Sequence, residues 1–193
     1  MSPSTDSTDR IESGAHSAPE QLTDDPRRAA LAMLDALADL AARVGPDTFT
    51  VPHAAFCDST IGQHVRHCLD HFEALVVGLP SGRVDYDARA RDARIETSPA
   101  AASGLAAGLR QRLAAAVLSL DAPVAVRLAC GLTGALRAQR SSVGRELQFV
   151  VGHTVHHFAI LAAQCRLLDV PVAADFGVAP STLRHRANPA HPR

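Results

Sequence analysis

Six of the ten histidines in this chain lie in two short stretches. The stretches are HVRHCLDH, with His64, His67 and His71, and HTVHH, with His153, His156 and His157. Neutral imidazole is a ligand for zinc, iron, nickel and copper. The two clusters therefore indicate one metal site that is assembled from distant parts of the chain.

The spacing within the second cluster selects a pair of ligands. His153 and His157 are four residues apart in a segment with helical periodicity, so their imidazoles lie on one face and can share one ion. His156 points about 100° away from His157 and serves that ion less easily. A third ligand must come from the first cluster, in which His67 is central, and three histidines leave coordination positions open for water and substrate.

The alternative is that these histidines are packed or exposed without a metal. A single HxxxH pair on an amphipathic helix is more often packed or exposed than bound to an ion. The presence of a second histidine-rich helix in one small domain is the feature that favours a metal site.

Candidate catalytic and substrate-binding residues lie close to the clusters. Glu146, seven residues before His153, is interpreted as a general base, as an acceptor that orients a ligand, or, preferably, as a first-turn acid favoured by the helix dipole. The arginine-rich run at 81–99 is interpreted as a solvated loop, or as a segment in which an arginine binds a carboxylate or phosphate. The substrate contacts predicted from this run are Tyr86, Arg91 and Arg94.

Four long helices are predicted to position these side chains. The first helix begins at Asp25 and Pro26, which suit the N-cap and the first helical position. The second helix, capped by Asp58 or Ser59, carries the first histidine cluster and ends near residues 78–80.

The other two helices follow the polar run. The third helix has an apolar stripe of Leu105, Leu109, Leu113, Ala116 and Leu120. The fourth helix, capped by Ser141 or Ser142, carries the second cluster as far as about Leu168. A short β-hairpin is predicted before it from the alternation of Val124, Val126, Leu128 and Cys130 with smaller or polar residues.

The predicted fold class is all-α, a four-helix bundle with a short β-hairpin before the last long helix. Residues 1–24 are polar and poor in large apolar groups, so they are predicted to form a disordered tail. The bundle domain is predicted to span residues 25–186, and residues 187–193 form a C-terminal tail. Residues 47–59 are predicted to be an extended loop, and a single helical turn is predicted after Pro180.

The composition narrows the classes of function. All nineteen basic residues are arginine, and the absence of lysine excludes a Walker-type phosphate loop and a lysine Schiff base. The net charge of −1 gives no sign of binding to nucleic acid or to an anionic membrane. The four cysteines form no CxxC pair, and no secretory signal or membrane-spanning run is present, so a cytoplasmic protein with free thiols is expected.

Four blocks of the sequence resemble the DinB-like superfamily of four-helix metal-binding proteins. In chain order they are STIGQHVRHCLDHFEAL, VDYDARARDARIET, SSVGRELQFVVGHTVHHFAIL and DFGVAPSTLRHR. The resemblance covers most of residues 27–186. It implies a bundle of DinB-like type with a crossover connection, a divalent metal and a homodimer.

The resemblance also implies roles for the histidines. The family's first ligand, in the middle of the second helix, matches His67, and its paired ligands on the last long helix match His153 and His157. His64 and His71 lie outside the usual ligand set, so they are candidates for orienting the ligands or for acting as a base.

The superfamily includes thiol-dependent S-transferases and a maleylpyruvate isomerase. The resemblance therefore implies a metal-dependent transferase or hydrolase that acts on a small molecule, with zinc, nickel or iron and a low-molecular-weight thiol as cofactors. The alternative is a non-catalytic metal- or ligand-binding helical module, such as a structural homodimer. A fourth protein ligand, such as His64, would favour this alternative because it would close the open position on the metal.

Overall fold

The structure is a computed structural model that describes residues 25–131 and 137–188. Within these ranges the chain forms seven α-helices, α1 (Pro26–Arg43), α2 (Pro46–Thr50), α3 (Ile61–Gly78), α4 (Ala93–Thr97), α5 (Pro99–Ala115), α6 (Val143–Leu167) and α7 (Pro180–Ala187). It also forms three strands, β1 (Arg83–Asp85), β2 (Pro123–Arg127) and β3 (Gln139–Ser142). The predictions for the tail at 1–24, the hairpin turn at 132–136 and the end of the C-terminal tail at 189–193 lie outside the described residues.

The four long helices α1, α3, α5 and α6 form the predicted bundle. Helix α1 packs mainly against α5 and α6, and α3 packs mainly against the same two helices, so α1 and α3 lie diagonally across the bundle. The facing side chains form one apolar core, whose largest members are Phe49, Phe72, Tyr86 and Phe158. This arrangement confirms the predicted all-α class.

Helix α1 begins where the sequence predicts. The Asp25 carboxylate accepts a hydrogen bond from the backbone N–H of Arg27 at 2.9 Å, and Pro26 occupies the first turn. The side chains that α1 buries most completely are Ala30, Met33, Leu34, Leu37, Leu40 and Ala41.

Helix α3, which carries the first histidine cluster, is capped by Thr60, so the predicted caps Asp58 and Ser59 are wrong. The Thr60 hydroxyl accepts from the backbone N–H of Gln63 at 3.0 Å, and the Gln63 side chain accepts from the backbone N–H of Thr60 at 3.2 Å. This reciprocal pair is a capping box. Asp58 instead lies in a left-handed turn with φ 58°, just after a short 3₁₀ helix at Ala54–Phe56. Because of α2 and this 3₁₀ helix, the predicted extended loop at 47–59 is wrong in part.

A three-stranded sheet takes the place of an isolated hairpin. Strands β2 and β3 pair antiparallel, as predicted, and β1 adds a parallel pairing in which Val84 lies opposite Val126. The interpretation of residues 81–99 as an irregular loop is therefore wrong for β1 and for α4. A strand of three residues is too short to give a readable alternation of apolar side chains. Leu128 and Cys130 lie beyond the end of β2 and are exposed.

The last helices differ from the predictions only at their ends. Ser142, rather than Ser141, caps α6 by accepting from the backbone N–H of Arg145 at 3.3 Å. Helix α5 stops at Ala115, so Leu120 lies in the turn that follows it rather than on its apolar stripe. Helix α7 has eight residues, more than the single turn predicted. No helix in the described parts of the chain combines the length and apolarity that a membrane crossing needs.

Candidate metal centre

Helices α3 and α6 bring histidines of the two clusters together. The Nε2 atoms of His67 on α3 and His153 on α6 are 2.9 Å apart. One ring nitrogen from each of His67, His153 and His157 lies within 4.8 Å of the others, and all three side chains are partly buried. Since imidazole nitrogens are suitable ligands for a divalent metal, this group could hold one ion.

His156 lies outside this group, in agreement with its helical angle. It is exposed, and its ring meets that of His157 edge-on at a centroid distance of 5.3 Å. The three grouped histidines are the same three that the family resemblance matches to metal ligands, and their role as ligands stays a prediction.

His64 lies behind His157 and orients it. The Nδ1 atoms of the two rings are 3.1 Å apart, and His64 Nε2 lies 3.0 Å from the Ser59 hydroxyl. Ser59 donates its own proton to the carbonyl oxygen of Phe56 at 2.7 Å. His64 must therefore donate to Ser59 through Nε2 and accept from His157 through Nδ1. That pattern leaves the lone pair of His157 on Nε2, where it is available to a cation.

His71 is buried beside the group. Its Nδ1 donates to the backbone carbonyl of His67 at 2.8 Å, one helical turn earlier. Its ring lies 4.1 Å from that of His153, between centroids, and stacks on Tyr86 at 5.6 Å. These contacts place His71 as a packing neighbour that fixes the position of the His67 backbone and the His153 ring.

The arginine at the site is Arg89. Its Nη1 lies 3.2 Å from His67 Nδ1 and 3.4 Å from His71 Nδ1. Because His71 Nδ1 already donates to a carbonyl, it cannot also accept, and the acceptor for Arg89 is His67 Nδ1. His67 then carries its proton on Nε2 and donates it to His153.

Burial keeps these imidazoles uncharged. It lowers the pKa of His67 to about 3, with smaller contributions from His71, His157 and His153. The pKa values of His153 and His157 are each lowered to about 4, by burial first and then by neighbouring histidines. Neutral imidazole is the form that binds a metal, so the three donors fit a divalent cation at neutral pH.

Glu146 lies in the core, away from the ligand nitrogens. Its carboxylate accepts from the Tyr86 hydroxyl at 2.9 Å and from the Ser141 hydroxyl at 2.5 Å. It does occupy the first turn of α6, as the dipole interpretation requires, but its burial gives it a structural role in addition. Neither hydrogen bond joins Glu146 to a histidine. The position of Glu146 therefore does not support its interpretation as a general base or as an acceptor that orients a metal ligand.

The predicted substrate contacts are placed differently from Arg89. Tyr86 is fully buried and its hydroxyl donates to Glu146, and its role in substrate binding stays a prediction. Arg94 pairs with Asp92 at 2.7 Å and its side chain is 84% exposed, and Arg91 is also exposed. Neither of these two arginines makes a hydrogen bond or ion pair with the histidines of the described chain, and a role for them in substrate binding stays a prediction.

Two residues beside the site, Phe149 and Arg89, differ in whether the sequence alone could have identified them. Phe149 stacks on the His153 ring at a centroid distance of 5.9 Å, and it lies four residues earlier on α6, so helical spacing could have identified it. No local spacing could have identified Arg89. Its place depends on the pairing of β1 with β2, whose partners are about forty residues apart along the chain.

The thiols of the two histidine-bearing helices are not activated. Cys68 and Cys165 are both buried, and burial raises the pKa of each thiol, to about 11 for Cys165. Neither side chain is a thiolate at neutral pH, so neither Cys68 nor Cys165 supplies a nucleophilic sulfur.

Comparison with known proteins identifies the family. A family model described as the DinB superfamily matches residues 22–161. The chain belongs to the DinB superfamily. That match includes α3 and most of α6, and with them the three grouped histidines.

Other comparisons extend this assignment little. The chain is 39% identical over 69 residues to a protein named FK506-binding protein 5 from Rhizopus delemar, a match that covers 35% of this chain and 18% of that protein. The chain therefore spans less than a fifth of the length of this relative. No solved structure gives a significant match.

Proposed function

We propose that this member of the DinB superfamily is a divalent-metal-dependent enzyme, of the thiol-dependent transferase or hydrolase type, that acts on a small molecule. The observation that carries the proposal is the convergence of His67, His153 and His157, three neutral imidazoles whose ring nitrogens lie within 4.8 Å of one another. Three neutral imidazoles that lie this close together form a ligand set that suits a divalent metal, and a purely structural role does not require them.

In this proposal His67, His153 and His157 hold a zinc, nickel or iron ion. The ion, when bound, supplies a Lewis acid that stabilises negative charge on an oxygen or sulfur of the substrate or of a low-molecular-weight thiol. The protein supplies the rest of the site. His64 fixes the tautomer of His157, and His71 holds the backbone of His67 by donating a hydrogen bond to its carbonyl oxygen.

The position of His64 supports an enzyme over a non-catalytic metal-binding module. A closed structural site would need a fourth protein ligand, and His64 is the candidate named from the sequence. Both ring nitrogens of His64 are engaged, one with His157 and one with Ser59. A site of three protein ligands keeps a coordination position for a substrate.

We also propose that the enzyme is cytoplasmic and homodimeric. The four cysteines are free, which is usual in a reducing compartment. The homodimer rests on the family resemblance, and sedimentation or light scattering at several protein concentrations tests it directly.

Metal analysis of the purified protein tests the proposed site. We expect about one equivalent of a divalent metal in the wild-type protein and loss of most of it in His153→Ala and in His157→Ala. The matched control is His156→Ala, which is exposed on the same helix and should keep its metal. Equal loss in all three variants, or no metal in the wild type after loading, would contradict the site.

An activity screen tests the reaction class. The metal-loaded protein is assayed with electrophilic and with ester or amide substrates, each with and without a low-molecular-weight thiol. Turnover that requires metal and is lost in His153→Ala supports the proposal. A fully loaded protein that shows no metal-dependent turnover across both substrate sets would favour the non-catalytic module.

A further inference from the structure

We propose that Arg89 is the carboxylate-binding group of the histidine site, so that the substrate of the enzyme is a carboxylic acid. The identity of that acid as a substrate rests on the proposed function. The capture of a carboxylate by Arg89 rests on this chain's own residues and can be measured without a metal.

Arg89 is held at the histidines by a tethered segment. The Asp85 carboxylate accepts from the backbone N–H groups of Asp87 and Ala88 at 3.0 and 3.1 Å, which fixes the turn just after β1. The Asp87 carboxylate accepts from the backbone N–H of Ala129 at 2.7 Å, which ties the turn to the residues after β2. The sheet therefore sets where the Arg89 guanidinium lies.

In the described part of the chain no carboxylate lies within ion-pair distance of the Arg89 guanidinium. Of the two acidic groups that face it, Asp70 is paired with Arg66 at 2.7 Å and Asp87 accepts from Ala129. Arg91 and Arg66 add further positive charge. A partly buried, unpaired guanidinium among neutral imidazoles is costly unless an anion joins it.

Most donors of Arg89 make no hydrogen bond in the described part of the chain. Its Nε atom is buried and has no partner, and its Nη1 donates to His67 Nδ1 at 3.2 Å. A guanidinium presents five N–H donors in a planar fork, which matches the two oxygens of a carboxylate. A buried donor without a protein partner calls for an explanation, and in this proposal a carboxylate oxygen accepts from it.

The protonation of His67 gives a second reason for an anion. In this arrangement His67 Nδ1 accepts from Arg89, so the ring proton is on Nε2, the nitrogen that faces His153. His67 can offer Nε2 to a cation only if its proton moves to Nδ1, where it would face the guanidinium. A carboxylate between them would accept from both His67 Nδ1–H and Arg89. Carboxylate and metal should therefore bind cooperatively, each raising the affinity for the other.

The geometry limits the kind of carboxylic acid. Arg89 lies at Nδ1 of the His67 ring, and the other proposed metal ligands lie at its Nε2. The carboxylate and the reacting group of the substrate would therefore be only a few bonds apart. One guanidinium and one ring N–H suit the charge and the two oxygens of a carboxylate better than the larger charge of a phosphate.

Acetate binding, followed by NMR of the Arg89 Nε–H group, tests this inference. The full chain is stripped of metal on a chelating resin and titrated with acetate at constant ionic strength, with neutral acetamide as the isosteric control. The Nε–H resonance is assigned by its loss in Arg89→Gln. We expect a saturable shift with acetate and none with acetamide. The histidine resonances should report an affinity for acetate at least about tenfold weaker in Arg89→Gln. Arg110→Gln, whose arginine pairs with Asp35 on the surface, is the matched control and should bind acetate like the wild type.

A second arm separates this inference from the proposed function. Zinc affinity is measured at buffered free zinc in acetate and in chloride, and we expect acetate to raise it in the wild type and not in Arg89→Gln. If zinc does not bind but acetate shifts Arg89 in the stripped protein, the metal proposal fails and this inference stands. If zinc binds but acetate has no Arg89-dependent effect in either form, this inference is overturned. Should Arg89→Gln fail to fold, the contrast between acetate and acetamide in the wild-type Nε–H signal still decides.

Discussion

The positions of the protons on four imidazoles decide whether this site can accept a cation. His157 is set correctly, because His64 accepts from its Nδ1 and leaves its Nε2 free. His67 is set the other way, because Arg89 donates to its Nδ1. The histidines of α6 can therefore bind a cation as they stand, whereas His67 on α3 must first move its proton from Nε2 to Nδ1. A single anion beside Arg89 would favour that change.

Removal of His64 tests this orienting role at the scale of one residue. We expect His64→Ala to weaken metal binding by about 10- to 100-fold, the usual cost of losing a hydrogen bond behind a histidine ligand. His156→Ala, which removes an exposed histidine three residues after His153, should change the affinity little. Titration of the stripped proteins with a chelator-buffered metal measures both constants. An unchanged affinity in His64→Ala would mean that the contact with His157 is incidental.

The residues that the sequence could reveal are those linked by local geometry. His153 and His157 could be paired from their spacing alone, because a helix puts residues four apart on one face. Arg89 could not be separated from Arg91 and Arg94, since only the pairing of β1 with β2 decides which arginine faces the histidines. The burial of Tyr86 was hidden for the same reason.

The start of α3 is the element that positions His64 and His67, and it gives a prediction about stability. Thr60→Ala removes the capping box and should lower the free energy of unfolding by about 1 kcal/mol. Thr60→Ser should lower it much less, because serine keeps the hydroxyl that accepts from the backbone N–H of Gln63. Urea unfolding of the metal-stripped proteins measures both changes. An equal loss in Thr60→Ser and Thr60→Ala would contradict the assigned cap.

The long helices could be predicted because their apolar stripes and caps depend on residues that are close together in the sequence. The start of α3 could also have been predicted, because Gln63, three residues after Thr60, makes Thr60 the one candidate among Asp58, Ser59 and Thr60 that fits a capping box. Strand β1 could not be predicted. Its three residues gain their order from hydrogen bonds to β2, a partner that the local sequence does not specify.

The stability of the whole metal-free molecule should fall in acid. His67, His71, His153 and His157 have pKa values lowered by burial to about 3 or 4, against 6.5 in the unfolded chain. Between pH 6.5 and pH 4 the unfolded chain therefore binds more protons than the folded one. The free energy of unfolding falls as pH falls through this window, and these histidines have little effect above pH 6.5.

Urea unfolding of the stripped protein at pH 7.5, 5.5 and 4.5 measures this slope. Each fully buried histidine would contribute at most about 1.4 kcal/mol per pH unit, and partial exposure makes the real contribution smaller. His67→Leu should reduce the slope, because it removes one of the four imidazoles whose pKa is lowered in the folded state. A slope that is identical in wild type and His67→Leu would contradict the neutral state assigned to His67.

The central claim is that one divalent ion, held by His67, His153 and His157, joins α3 to α6. An ion that binds only the folded state stabilises it by mass action, so the melting temperature should be higher in the metal-loaded protein than in the stripped one. Protons compete for the same nitrogens only near the lowered pKa values of about 3 to 4.

The most direct measurement is the difference in melting temperature between the loaded and stripped proteins from pH 8 to pH 4.5. We predict a clear gap that holds from pH 8 to about pH 5, begins to narrow only as the pH approaches 4.5, and is nearly absent at every pH in His67→Ala. The absence of a gap in the wild type, or a gap that persists unchanged in His67→Ala, would contradict an ion that bridges the two helices.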